Sequence, residues 1–340
     1  MSPSGIRLGI IGTGIAAFDL HWPALKSLAD RFQIVAVANR TEEKARRFAA
    51  LVGRPKIYGN YQDLLRDPAV EAVTIALPIH LNHRVAWEAL KAGKHVLLEK
   101  PVAGDLRKAQ EMVGWPQRFP GLKMMVAENY RFSRWFWRLK ERLDSGEIGR
   151  PFALRWDVFA LVRPETNKYA RTQWRLHHQY PGGFILDGGV HNAAVFRLLG
   201  GEVESVFAAT KSVNPAIGEI DTLIALLSFA SGLQGQLNLF YSSVGDSANV
   251  LTVWGETGTF RLLVGDGTLQ KIGESGKTEE EKIVDDGGYR AEYENFYDAI
   301  RRNAPIRSSF EEGYQDLQLI FTALQSAKEK RVLPVGKSPH

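Results

Sequence analysis

The chain has 340 residues, more than one ordinary core holds, so two domains are expected. Its 44% hydrophobic and 24% charged residues are the proportions of a soluble globular protein, and the absence of cysteine excludes disulfides, thiolate metal sites and a cysteine nucleophile, which fits a reducing cytoplasm. The net charge of +5 is spread over interspersed acids and bases rather than a basic tail or stripe, so nucleic acid is not the expected partner and an anionic small ligand is the milder inference.

Met1-Ser2-Pro3-Ser4-Gly5 leads straight into a strand pattern, and no apolar run reaches about 18 residues, so neither an export signal nor a membrane span is expected. Ile6 to Ile11 is a compact apolar run ending in Gly12-Thr13-Gly14-Ile15-Ala16-Ala17, the pattern G-x-G-x-x-A directly after a strand. The first glycine permits a tight turn and the second lets backbone amides approach a pyrophosphate. A small third residue allows close packing of the next helix, whose positive end faces the phosphates. Alone, the pattern fits a structural turn equally well.

A second strand, Gln33 to Ala38, ends at Asn39-Arg40-Thr41, the tip that faces an adenosine ribose in such folds. An acid here would bind the 2'-hydroxyl of NAD and repel a 2'-phosphate, whereas Asn39 is uncharged and Arg40 can pair with phosphate oxygens. The reading is an NADP site, with NAD as the weaker alternative. The competing reading makes Arg40 a solvated residue ahead of a helix capped by Thr41, with Lys44 and Arg46 on its outer face.

Tyr61 to Arg66 reads as a short helix broken at Asp67-Pro68, and Ala72 to Leu77 as a strand leading into Pro78-Ile79-His80-Leu81-Asn82-His83. Helical spacing runs on to Ala92 with Gly93 as C-cap, and Val96-Leu97-Leu98 is a buried strand that Pro101 stops. Strand and helix thus alternate up to residue 100, the order of a doubly wound α/β half. Glu99 and Lys100 then stand at a carboxyl edge of the sheet, where ligands bind. A surface ion pair on a loop is the competing account of these two charges. A helix from Gly104 to about Trp115 and a strand from Leu122 to Val126 lead to the expected border between a dinucleotide-binding domain, residues 1–127, and a second domain, residues 128–340.

Beyond Gly149-Arg150-Pro151, six segments read as strands separated by glycine turns: Phe152 to Leu161, Ser205 to Thr210, Thr222 to Phe229, Leu233 to Tyr241, Val250 to Trp254 and Thr259 to Val264. This favours an α+β domain with a large, mainly antiparallel open sheet. Tyr289 to Arg302 and Phe310 to Lys330 are closing helices that can pack back on the first domain. In Gly182-Gly183-Phe184-Ile185-Leu186-Asp187-Gly188-Gly189-Val190-His191, Asp187 is expected to begin a helix from which His191, four residues on, also projects. A histidine held near a carboxylate can accept a proton; an N-capping aspartate and a histidine packed beneath the sheet is the competing reading. The aromatic residues in Arg134-Trp135-Phe136-Trp137-Arg138 suggest base stacking, but their helical spacing points to sealing the domain junction. Beyond Asp187 and His191, no clustered ligand spacing is present, and nothing calls for a metal.

Taken together, Gly12-x-Gly14-x-x-Ala17, Ala92-Gly93-Lys94-His95-Val96 leading to Glu99-Lys100-Pro101, Asn129-Tyr130-Arg131-Phe132 and Asp187-x-Gly189-x-His191 resemble the Gfo/Idh/MocA family of oxidoreductases over nearly the whole chain. That family includes glucose-fructose oxidoreductase and inositol dehydrogenases. Asn167-Lys168-Tyr169, Thr172-x-Trp174-Arg175 and Gly182-Gly183 are similar to an NADP-linked branch with fungal members. The resemblance implies a Rossmann domain carrying the dinucleotide and a second domain with a small polyhydroxylated substrate at one end of its sheet. It also implies subunit contacts on the sheet's face, as a homodimer or homotetramer. Lys100, Asp187 and His191 match the family's catalytic positions, Trp174 and Arg175 match residues that reach the cofactor, and Tyr289 matches one that closes over the nicotinamide. Further cofactor contacts are implied at Gly12, Thr13, Gly14, Ile15, Asn39, Arg40, Lys44, Leu77, Pro78, His83, Glu99, Lys100 and Asn129. His80 departs from an Asn common in members, which bears on the details of cofactor contact, and Ala194 departs from an acid common three residues after the histidine, which leaves the substrate open.

The expected reaction is reversible hydride transfer between NADP(H) and a secondary alcohol or ketone of a sugar, polyol or related hydroxylated compound. His191 takes the hydroxyl proton, Lys100 stabilises charge on the reacting oxygen, and Asp187 orients His191 or binds a neighbouring hydroxyl. Lys100 is the alternative proton acceptor. The rival function is a non-catalytic NADP(H)-binding redox sensor, which needs only the dinucleotide half.

Overall fold

The computed structural model describes residues 5–336, which form two compact units. One takes the chain up to Asn129 together with Tyr289–Tyr314; the other takes Tyr130–Gly288 and the chain from Gln315. In the first unit, β1 (Ile6–Ile11), β2 (Phe32–Ala38), β3 (Lys56–Tyr58), β4 (Ala72–Ile75), β5 (His95–Glu99) and β6 (Met124–Ala127) form a parallel sheet in the order β3-β2-β1-β4-β5-β6. β4 and β6 are buried at every residue and β5 along its middle, because a parallel sheet has both faces covered and can hold apolar side chains on each. The connecting helices are α1 (Trp22–Ser27), α2 (Glu42–Leu51), α3 (Tyr61–Arg66), α4 (Asn82–Lys91), α5 (Leu106–Val113) and α6 (Trp115–Arg118). Strand order reverses between β1 and β4, and the crevice beyond their carboxyl ends is where such sheets bind ligands.

Two local features were not legible beforehand. A five-residue π-helical turn, Ala17–His21, precedes α1 and carries a fully buried His21. Lys94 and His95 hold β5 in place: Lys94 Nζ donates to the carbonyls of Asp67 and Val70, and His95 Nδ1 accepts from the Lys123 amide.

The second unit contains α7 (Arg134–Asp144), β7 (Pro151–Phe159), α8 (Gln173–Leu176) and α9 (Gly183–Gly200). It continues with β8 (Val203–Lys211), β9 (Thr222–Phe229), β10 (Gln234–Phe240), β11 (Ala248–Gly255), β12 (Gly258–Leu263), β13 (Thr268–Gly273), β14 (Thr278–Lys282) and, near the end, β15 (Leu333–Pro334). These strands form one sheet, β14-β13-β12-β11-β7-β10-β9-β8-β15, in which only β7 and β10 pair in parallel. β8 and β9 alternate buried with exposed side chains, the pattern of a sheet covered on one face. β14 reads Thr-Glu-Glu-Glu-Lys and has no apolar alternation; its backbone pairs with β13, and Arg138 of α7 binds Glu281.

The aromatic run in α7 is engaged within this unit. Phe136 packs on Tyr130 and Trp156, Trp135 Nε1 donates to the Ile283 carbonyl, and Trp137 Nε1 donates to that of Arg131. Of the closing helices, α10 (Tyr289–Arg302) belongs to the first unit, whereas the division falls inside α11 (Phe310–Glu329), after Tyr314. Among the described residues, no helix is long and apolar enough to cross a membrane, and no group of three His, Asp or Glu is placed to hold a metal ion.

Candidate active site

At the end of β1 the backbone of Gly12 has φ +96°, and a Cβ there would collide with the Ala76 carbonyl and come 3.0 Å from Leu77 Cδ2. Only glycine meets both the conformation and the close approach. At Gly14 a Cβ would meet nothing within 4 Å, so bare backbone opens on free space, a cradle that suits a pyrophosphate. Thr13 is buried and its Oγ1 accepts from Asn39 Nδ2 at 2.7 Å, while Asn39 Oδ1 accepts from the Thr41 amide at 3.2 Å, tying the glycine loop to the tip of β2. Arg40 and Lys44 are exposed there, and Thr41 holds the N-cap position of α2 without a capping side-chain bond. Burial first, then the charges of Arg40, Arg84 and Lys108, lower the pKa of His80 below its ordinary value. Ile15, Leu77 and Pro78 are half-buried around the loop.

His83 Nε2 bonds Glu111 Oε2 at 2.9 Å and its ring lies 5.0 Å from that of Trp115, so it ties α4 to α5 and α6. The neighbouring Asn82, unmarked in the sequence reading, serves the β5 end instead: its buried Nδ2 donates to the carbonyls of Glu99 and Pro101, each at 2.8 Å.

Glu99 is held from below by a buried polar chain. Its Oε1 lies 2.9 Å from His21 Nε2, His21 Nδ1 lies 3.1 Å from Tyr293 Oη, and that hydroxyl lies 3.0 Å from Thr74 Oγ1. His21, Tyr293 and Thr74 are all fully buried, and burial pushes the Tyr293 phenol far up, so it stays protonated. Glu99 Oε2 accepts from the Lys100 amide at 3.1 Å, so the chain fixes the turn that carries the half-buried Lys100. Nothing local in the sequence marks His21 or Tyr293, which lie 272 residues apart.

In the second unit, α9 begins at Gly183, one turn earlier than expected, because Gly182 and Gly183 take left-handed conformations (φ +78° and +49°) that turn the chain into the helix. Asp187 is therefore not an N-cap. It is 4% exposed, inside the helix, and its Oδ2 accepts from Arg175 Nε at 2.6 Å. The guanidinium of Arg175 lies 4.0 Å from the centroid of Trp174, so Trp174 packs against the group that binds Asp187. His191, on the same face of α9, stacks on Tyr130 at 4.6 Å and 26°.

Tyr241, also missed, closes on this face: a Cβ at Gly188 would collide with its hydroxyl. Desolvation, then the fields of Tyr130 and Asp187, raise the Tyr241 phenol well above its ordinary value, which keeps it a hydrogen-bond donor. Asn129 is 3% exposed at the start of a 3-10 turn, and Tyr289 is half-buried as the first residue of α10. Lys100 belongs to the first unit, Asp187 and His191 to the second.

Residues 6–118 match the NAD-binding Rossmann fold of the Gfo/Idh/MocA oxidoreductases, and residues 140–336 match that family's C-terminal alpha/beta domain. The chain belongs to the Gfo/Idh/MocA family. As a Gfo/Idh/MocA protein it is an NAD(P)-dependent oxidoreductase, and its two sheets are those of the family fold. It is 32% identical over 341 residues to a dehydrogenase of Fusarium mangiferae, covering 95% of this chain and 96% of the relative. It is 28% identical over 339 residues to a myo-inositol 2-dehydrogenase of Thermotoga maritima, covering 96% and 97%. The crystal structure of a Thermotoga maritima oxidoreductase superposes with a TM-score of 0.90 at 35% identity, covering 97% of this chain and 98% of that one.

Proposed function

We propose that this Gfo/Idh/MocA enzyme interconverts a secondary alcohol and a ketone on a sugar, polyol or related hydroxylated compound with NADP(H). The observation that carries the reading is the polar face of α9. Its Asp187 is clamped by Arg175, its His191 is stacked on Tyr130, and the protonated phenol of Tyr241 stands beside them. A base, a carboxylate and a phenolic donor on one face suit a substrate rich in hydroxyls. The Thermotoga maritima relative named as a myo-inositol dehydrogenase supports the polyol class.

The Gly12 to Ile15 loop would hold the pyrophosphate of the dinucleotide, with Leu77, Pro78, Glu99, Asn129 and Tyr289 as further cofactor contacts. Asn39 brings no acid to the β2 tip, so Arg40 and Lys44 meet the 2'-phosphate. When bound, the dinucleotide supplies a nicotinamide ring that takes hydride from the carbinol carbon or returns it. His191 accepts the hydroxyl proton as the carbonyl forms, and Lys100 donates a hydrogen bond to the reacting oxygen. Arg175 keeps Asp187 placed to orient His191 or bind a neighbouring hydroxyl, and the stack on Tyr130 restrains the imidazole. Exposed Phe207, Ile224 and Leu226 on the uncovered sheet face support assembly into a homo-oligomer.

The test is nicotinamide absorbance on mixing the protein with NADP+ or NAD+ and a panel of sugars and polyols, together with the reverse assay with ketones and NADPH. Reduction of NADP+ by one class of alcohol is expected, with Lys100→Met binding NADPH but losing turnover. Wild-type rates in Lys100→Met remove the lysine from the scheme; binding without turnover in both directions removes the reaction.

A further inference from the structure

One turn before Asp187 on α9, the second unit holds a pocket of about 350 Å³ lined by Leu176, His178, Tyr180, Gly183, Ser212 and Glu219. That volume lies at the small end of the range of about 300–1,000 Å³ for small-molecule sites, room for a single ring rather than an extended ligand. The pocket is built, not incidental. His178 stands in a slot between two glycines: a Cβ at Gly218 would come 2.8 Å, and one at Gly183 3.3 Å, from its Cε1. Both glycines are in positive-φ conformations, +119° and +49°, which side-chain-bearing residues rarely adopt. Tyr180 meets the His178 ring edge-on at 5.1 Å. The loop carrying Ser212 and Glu219 is pinned by fully buried Asp221, which accepts from the amides of Val213 and Asn214 and the hydroxyls of Thr222 and Ser242.

Two atoms in this wall lack what their burial requires. Tyr180 is 7% exposed, and its Oη and the Nε2 of His178 are both buried without a hydrogen-bond partner among the described residues. Buried polar groups are almost always bonded, so two orphans on touching rings beside one cavity point to a ligand that bonds them. Its charge follows from theirs. Burial lowers His178, so the imidazole is neutral, and burial raises Tyr180 far up, so the phenol keeps its proton. Glu219 at the pocket disfavours an anion and accepts from hydroxyls. Gly183, Asp187 and His191 follow one another at four-residue spacing along α9, so the pocket continues the face that carries the acid and the histidine.

We propose that this pocket is a second subsite, in which His178 and Tyr180 bind a neutral, hydroxyl-bearing ring or arm of the substrate remote from the reacting carbon. The assignment rests on the reading of Asp187 and His191 as the reacting end. It makes the preferred substrate larger than one small polyol and excludes a phosphate on its distal part.

The full-length wild type, Tyr180→Phe and His178→Gln are titrated with myo-inositol, glucose and maltose without cofactor. Indole fluorescence reports binding, because Trp174 lies 6.3 Å from Tyr180, and thermal melts with and without sugar follow. Maltose is expected to bind more tightly than glucose, and Tyr180→Phe to weaken maltose roughly five- to ten-fold, the value of one hydrogen bond. The sugar-free Tm of Tyr180→Phe should rise, since an unbonded buried hydroxyl has gone. A lower Tm with unchanged sugar affinity overturns the subsite and makes the hydroxyl structural. Failure of all three sugars to bind overturns it too, whatever the enzyme turns over. Binding that depends on Tyr180 without turnover in either direction supports the subsite and removes the proposed reaction, whereas turnover indifferent to both variants keeps the reaction and overturns the subsite.

Discussion

At the β2 tip the proposed choice of NADP(H) rests on very few side chains. Asn39 is engaged with Thr13 and the Thr41 amide, and burial together with neighbouring cations lowers the pKa of His80, so the proposal assigns contact with a 2'-phosphate to Arg40 and Lys44. A charge-assisted bond of this kind contributes about 1.5–3 kcal/mol. Arg40→Ala is accordingly expected to raise the Kd for NADP+ roughly 10- to 100-fold and leave that for NAD+ within about two-fold. Fluorescence titration of both cofactors decides it, and equal losses would place Arg40 outside the phosphate contact. Residues such as Gly12 were legible because spacing alone implies their backbone role. His21, Asn82 and Tyr241 were not, since each acquires its role from partners brought up by other segments.

The Asn129-Tyr130-Arg131-Phe132 segment shows how one short element serves both packing and site. Tyr130 stacks on His191, while Arg131 makes paired bonds of 2.6 and 2.8 Å to Asp316 of α11, which also accepts from Arg197 of α9 at 2.6 Å. Asp316 is only 2% exposed, so removing it takes a buried carboxylate from between two guanidinium groups. Asp316→Ala should lose about 3–5 kcal/mol of stability in urea unfolding, with α9 and its Asp187 and His191 loosened as a consequence. A loss below about 1 kcal/mol would show that the triad is weak and that apolar packing alone holds α9. A motif that reads as recognition is in part an anchor.

Acid sensitivity belongs to the whole molecule. Hydrogen bonds from Arg142 hold the Glu147 carboxyl down to about 2, against an ordinary value of 4.5, and Arg301 lowers Glu71 in the first unit. A carboxylate whose folded pKa lies below its unfolded one contributes stability that is complete above the unfolded value and is lost as pH falls through the folded value. Tm is therefore expected to drop between about pH 4.5 and pH 2. Glu147→Gln should begin lower at neutral pH and drop less across that window; parallel curves would assign the acid loss to other groups. Assembly is testable at the same scale. Leu226 is 52% exposed beside Phe207, its cross-strand partner on the uncovered face, and Leu226→Glu should convert an oligomer to monomer in sedimentation velocity without weakening dinucleotide binding. A monomeric wild type would sink the assembly.

The sequence by itself determined the parallel half, the glycine cradle, the edge carrying Glu99 and Lys100, the antiparallel second domain and the helix bearing His191. Each depends on periodicity or on glycine and proline within a few residues, which physics reads locally. Only the tertiary structure decided that Arg175 clamps Asp187, that Tyr293 and His21 underpin Glu99, that the polar β14 joins the sheet, and that His178 and Tyr180 meet in one pocket. Those contacts depend on the paths of loops such as Val162 to Gly182, and a loop's path follows from what it packs against rather than from any repeat in its own residues.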